Sequence, residues 1–98
     1  MIIAQVSISP IGVGINLSPY IKKIVKILKD EPVNCYPNAM ATVIEAETID
    51  QLFTVIKKAH EALINEPDVK RVITELKIDH RTDKDAKAQS KIDAVTTK

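Results

Sequence analysis

A chain of 98 residues with a 45% hydrophobic fraction, 3% aromatics and no Trp fits a single domain with an aliphatic core. Its 14 Lys and Arg nearly cancel 13 Asp and Glu, so the basic footprint of a nucleic-acid binder is missing. One cysteine, Cys35, excludes an internal disulfide and has no metal-ligand spacing around it; no apolar run approaches the ~20 residues that span a bilayer.

Met1 leads directly into a strand-like segment with no basic start, so no signal peptide is expected and a soluble cytoplasmic protein is. In Ile2–Ser9, Ile2, Ala4, Val6 and Ile8 share one face of a strand, and Ile3, Gln5, Ser7 and Ser9 share the other. Pro10-Ile11-Gly12-Val13-Gly14 breaks the strand. Ser18 is the expected N-cap of a first helix, with Pro19 at the first helical position, where its missing N–H costs nothing. The apolar stripe of this helix is Ile21, Ile24, Val25 and Leu28, and Lys22, Lys23, Lys26 and Lys29 form a solvated face.

Glu31-Pro32 ends the helix, and Val33–Glu45 is a second strand region with a hairpin at Pro37-Asn38-Ala39. Thr48 caps the next helix, with Gln51 at the capping-box offset. Its stripe is Ile49, Leu52, Phe53, Ile56, Ala59 or His60, and Leu63; Phe53 and Met40 are read as core filler. Asn65-Glu66-Pro67 stops it. The last strand, Val69–Ile78, turns Val72, Thr74, Leu76 and Ile78 one way and Arg71, Ile73, Glu75 and Lys77 the other.

This order predicts an α+β, ferredoxin-like βαββαβ sandwich over residues 1–82, with two helices on one face of a four-stranded antiparallel sheet. Residues 83–98 form a polar C-terminal extension in which Ala88, Ile92 and Val95 recur at helical spacing. A helix that short is marginal in water unless its stripe docks.

Several chemistries of this fold lack their residues. There is no cysteine pair for a metal, and no stacking aromatic on the central strands for RNA. There is no arginine after the first strand to hold phosphate, and no base spaced to activate Cys35. No catalytic residue, metal ligand or cofactor is expected. Gly12-x-Gly14 reads as a turn before it reads as an anion site, and His60 as a hydrogen-bonded structural histidine. Glu45 and Glu75 are different. Each is a carboxylate inside a β-segment bordered by apolar residues, where a charge is costly unless it is paired. Lys77 is one candidate partner for Glu75; a cationic or amidine-like ligand is another.

The segments PIGVGINLSPYI, MATVIEAE, the helical pair His60-Glu61, RVITELKIDHRTDK and KIDAV resemble the thiamine-binding protein-like (YkoF-like) family of small ferredoxin-like subunits. The resemblance covers nearly the whole chain in the family's order; Val13 stands where the family usually has threonine, and Ala41 where it has glycine. It implies a homo-oligomer, a dimer or a tetramer built from dimers, that pairs through the outer sheet face. It also implies non-enzymatic binding of thiamine or its hydroxymethylpyrimidine moiety. On that reading Ser7, Ser9, Thr42, Glu45 and Glu75 supply polar groups and Tyr36 a stacking surface. An aminopyrimidine edge matches a carboxylate, and a thiazolium prefers acidic or π-rich surroundings. The alternative is a regulatory or interaction module of the same fold that senses a different small ligand. Neither reading involves nucleic acid or a membrane.

Overall fold

In the computed structural model, which describes residues 1–96, the chain runs β1 (Ile2–Ile11), α1 (Ser18–Lys29), β2 (Asn34–Pro37), β3 (Thr42–Ala46), α2 (Ile49–Ile64), β4 (Arg71–Asp79) and α3 (Ala88–Thr96). Residues 97 and 98, the end of the expected extension, lie outside the described residues. The strands form one antiparallel sheet in the order β2-β3-β1-β4. This is the ferredoxin-like α+β sandwich with an added C-terminal helix.

Period-two alternation positions the core. Ile2, Ala4, Val6 and Ile8 of β1 are buried, as are Ile44 and Ala46 of β3. Ile24 and Leu28 of α1 and Leu52, Val55, Ile56, Ala59 and Leu63 of α2 cover them. Each Val, Leu or Ile among them contributes about 1.5–3 kcal/mol by leaving water. Val72, Leu76 and Ile78 of β4 pack against the same cluster while half-buried. His60 on α2 meets Thr74 of β4, with Nδ1 and Oγ1 2.7 Å apart, so this histidine joins helix to sheet.

Three local expectations are corrected. Helix α1 begins at Ser18 itself, Leu17 is the capping residue, and no side chain caps it. Ahead of the capping residue, Asn16 Oδ1 accepts the Ser18 N–H at 3.3 Å. Phe53 is 51% exposed and Met40 90%, so neither fills the core. The buried face of α2 is centred on Leu52, Val55, Ile56, Ala59 and Leu63, which turns Phe53 outward, and Met40 sits at the β2–β3 turn. Within its own chain the apolar stripe of α3 stays open, with Ile92 51% and Val95 83% exposed.

The second helix cap forms at the expected residues. The Gln51 N–H donates to Thr48 Oγ1 at 3.1 Å, while the Gln51 side chain accepts the Glu47 N–H at 2.9 Å, one residue earlier than the usual box. Gly12 and Gly14 take φ of +88° and +96°, a region that residues with a Cβ rarely adopt. The pair is what lets the chain leave β1 and turn back into α1.

Core and surface positions separate cleanly in stability. Leu28→Ala, at a fully buried site, is expected to lower the unfolding free energy by about 2–5 kcal/mol in denaturant melts. Phe53→Ala should cost about 1 kcal/mol or less. Equal losses would return Phe53 to the core.

Candidate functional site

The outer face of the sheet, opposite α1 and α2, carries the polar residues of interest in cross-strand rows. Ser9 pairs with Ile73, Ser7 with Glu75, Gln5 with Lys77 and Val43, and Ile3 with Asp79 and Glu45. On β2, Asn34 pairs with Glu45 and Tyr36 with Val43.

Two hollows result. The first follows from unequal strand lengths. β3 pairs with β1 only as far as Val6, through Thr42, whereas β4 pairs with β1 as far as Ile11. Ser7–Ile11 therefore have a strand neighbour on one side only. The gap is a notch of about 160 Å³ between β1, α1 and the β2–β3 hairpin, lined by Ser7, Ser9, Ile24, Val25, Asn38 and Thr42. Ser7 also borders a shallow hollow with Gln5, Glu75 and Lys77 on the outer face. No ion pair joins Glu75 to Lys77 among the described residues.

The second hollow, about 370 Å³, lies between the outer face and α3 and includes Tyr36, Val43, Glu45, Gln89 and Ile92 in its lining. Its chemistry centres on Glu45, whose residue is only 3% exposed. Oε1 accepts from the Tyr36 hydroxyl at 2.9 Å and from Asn34 Nδ2 at 3.1 Å, and Oε2 accepts the Ala88 N–H at 2.6 Å. Burial pushes the carboxyl pKa up, but the Ala88 N–H, the Tyr36 hydroxyl, the Asn34 amide and the Lys87 charge outweigh it, and the net shift is downward. The Tyr36 phenol is raised in turn, first because its proton is held by Glu45.

Glu45 thus caps the first turn of α3. Lys91, one turn on, pairs with Asp79 of β4, and its hydrogen bond holds the Asp79 carboxyl below its ordinary pKa. Ala86, just before the helix, is buried, and Ile3 is buried on the outer face, where it borders a hollow with Lys91. The extension docks within its own chain, through backbone and charge and not through its apolar stripe.

Of the residues singled out from sequence, Ser7, Ser9 and Thr42 line the notch, and Glu75 stands beside Ser7. Tyr36 and Glu45 lie under α3, bonded to one another. The six do not form one constellation. Sequence reading missed Asn34 and the Ala88 N–H as partners of Glu45. The hairpin register carries the Asn34 signal: with Pro37 opposite Thr42, Asn34 must stand opposite Glu45. Among the described residues, no group of three or more His, Cys, Asp or Glu is placed to hold a metal ion. No helix among the described residues is long and apolar enough to cross a membrane.

A family model described as thiamine-binding protein matches residues 4–96. A UPF0045 protein of Methanocaldococcus jannaschii is 38% identical over 96% of this chain and 91% of its own length. Its crystal structure superposes with a TM-score of 0.88, covering 96% of this chain and 94% of that one. A UPF0045 protein of Bacillus subtilis is 38% identical over 97% of this chain and 94% of its own. A Thermotoga maritima protein described as a candidate for thiamine biosynthesis or salvage shares the fold, with a TM-score of 0.81 at 15% identity over 96% of this chain and 97% of that one.

The lowered carboxyl of Glu45 sets the sign of a pH effect. Its contribution is fully present above the unfolded value of about 4.3 and is lost as pH falls through the lower folded value. An acid titration is expected to shift the Ala88 amide resonance and release α3 only once pH falls below the ordinary glutamate range. Glu45→Gln should abolish that step. A step that survives the substitution would assign it to another carboxylate.

Proposed function

The chain belongs to the thiamine-binding protein family, and from that premise we propose that it binds thiamine or its hydroxymethylpyrimidine moiety, without transforming it, as a homo-oligomer. The observation that carries the reading is the notch beside Ser7–Ile11. The notch, about 160 Å³, has room for a substituted six-membered ring. A strand edge with no neighbour offers N–H donors and C=O acceptors in alternation, and an aminopyrimidine offers the same alternation along its own edge. Ser7, Ser9 and Thr42 add hydroxyls, and Ile24 and Val25 add apolar surface for the ring. The cationic thiazolium then lies toward Glu75, the cross-strand neighbour of Ser7.

The reading also assigns the uncovered part of the outer face to a second copy of the chain. α3 covers the end near Ile3 and Glu45, leaving Ser7, Ser9, Glu75 and the exposed Ile73 open. A cytoplasmic location belongs to the same reading, since the unpaired Cys35 stays reduced there.

Calorimetry should give a dissociation constant in the micromolar range for thiamine or its pyrimidine part, about −8 kcal/mol. Glu75→Gln should weaken thiamine by about ten- to a hundredfold, the worth of a charge-assisted hydrogen bond, and spare the uncharged pyrimidine. Unchanged affinity in both Ser7→Ala and Glu75→Gln would remove the notch as the site. No binding by the wild type would put a sensing module for another ligand in its place.

Light scattering should show a mass at least twice the 10.9 kDa subunit. Ile73→Lys should shift the assembly toward monomer by placing a charge in the contact. A wild-type monomer at micromolar concentration would remove the sheet-pairing reading.

A further inference from the structure

The carboxylate of Glu45 has no role in the notch, yet it is the most heavily bonded side chain on the outer face. It projects from β3 and gives its two oxygens to different elements. Oε1 takes two donors from β2, the Tyr36 hydroxyl and the Asn34 amide, and Oε2 takes the first N–H of α3.

Both elements are weakly held otherwise. β2 is a four-residue edge strand, paired with β3 alone, and only Cys35 within it is half-buried. α3 has nine residues and no buried one, too short to persist without anchors. Its other ties are the Lys91–Asp79 pair, in which both side chains are more than two-fifths exposed, and, just before the helix, buried Ala86 and the ion pair of Asp85 with the N-terminus; exposed ion pairs stabilise little.

β2 runs directly into the hairpin that walls the notch. Asn38 lines both hollows. Its side-chain amide donates to the Tyr36 carbonyl at 3.3 Å, and its backbone N–H donates to the Ala41 carbonyl at 2.9 Å. A continuous set of hydrogen bonds therefore runs from Ala88 through Glu45 to Tyr36, Asn38 and the turn before Thr42.

We propose that Glu45 is a positioning residue that couples α3 to the ligand notch: with α3 docked, its carboxylate locks β2 and hence the hairpin wall, and with α3 released the wall loosens. This rests on the reading of the notch as the thiamine site, and it adds a regulated element to it, the 83–96 extension acting as a releasable brace. Coupling of this kind is reciprocal. Whatever factor docking adds to ligand affinity, ligand adds to docking.

Two substitutions cut the two arms separately. Ala88→Pro deletes the N–H that Glu45 accepts, and it does so at the first residue of α3, where proline suits a helix. Tyr36→Phe deletes the hydroxyl on the β2 side and leaves the ring. Hydrogen exchange read by mass spectrometry on the full chain, without ligand, is the primary measurement. In Ala88→Pro, exchange should rise across α3 and also across the 38–42 turn. In Tyr36→Phe, exchange should rise across α3, which the substitution does not touch.

Thiamine is then added to wild type and variants. In the wild type it should slow α3 exchange, and in Ala88→Pro its dissociation constant should rise about five- to tenfold, at the modest end of site-to-site coupling. Faster α3 exchange with an unchanged hairpin in Ala88→Pro, or unchanged α3 exchange in Tyr36→Phe, overturns the coupling. So does affinity within twofold of wild type in Ala88→Pro. Failure of the wild type to bind thiamine sinks the ligand assignment alone, because the exchange of the unliganded hairpin and of α3 still decides whether Glu45 couples them.

Discussion

β1 has ten residues and its neighbour β3 only five, and much of the molecule follows from that inequality. β1 pairs on both sides, along most of its length with β4 and over its first half with β3, and its inward residues Ile2, Ala4, Val6 and Ile8 form the floor of the core. Where β3 stops, at the partner of Val6, the second ladder stops with it. The backbone beyond must find hydrogen-bond partners elsewhere, because polar main-chain groups are costly to bury unpaired. The β2–β3 turn and α1 close around that stretch without filling it. The proposed ligand notch is thus a consequence of sheet architecture, and its walls are core elements seen from their ends.

The two carboxylates that the sequence singles out show how position decides the role of identical chemistry. Glu45 and Glu75 lie on the same face of the same sheet. Glu45 sits where β2, β3 and α3 converge, almost wholly buried. A charge there is tolerated because three donors meet it. Glu75 is on the edge strand β4 and remains exposed, so its charge is free to face solvent or a cationic group. Burial with full satisfaction turns one glutamate into a structural joint; exposure leaves the other open for recognition.

The elements most readable from sequence were those governed by local patterning. Alternation in β1 and β4, the Thr48 cap with Gln51, and the helix stops at Glu31-Pro32 and Asn65-Glu66-Pro67 all need only near neighbours in the chain. Misreadings came where the deciding neighbour is remote or the local choice was close. Phe53 is apolar and sits beside the buried stripe, but Val55 points more directly at the sheet. Ser18 follows Asn16, and the earlier polar side chain took the local bond. Ala88, Ile92 and Val95 foretold the helix itself; its ties within the chain, a backbone N–H and a lysine, are ones that apolar periodicity does not report.

The candidate site divides along the same line. Sequence alone determined that the chain is an α+β sandwich with a C-terminal helix, and it placed Ser7, Ser9 and Glu75 on one sheet face, because side-chain direction in a strand depends only on parity. Only the tertiary structure decided that Tyr36 and Glu45 bond to each other beneath α3 while Thr42, turned to the inner side, lines the notch. Those outcomes depend on the β2–β3 register and on where β3 ends relative to β1. Register is a relation between segments distant in sequence, and a change of one residue would invert every face assignment on the strand.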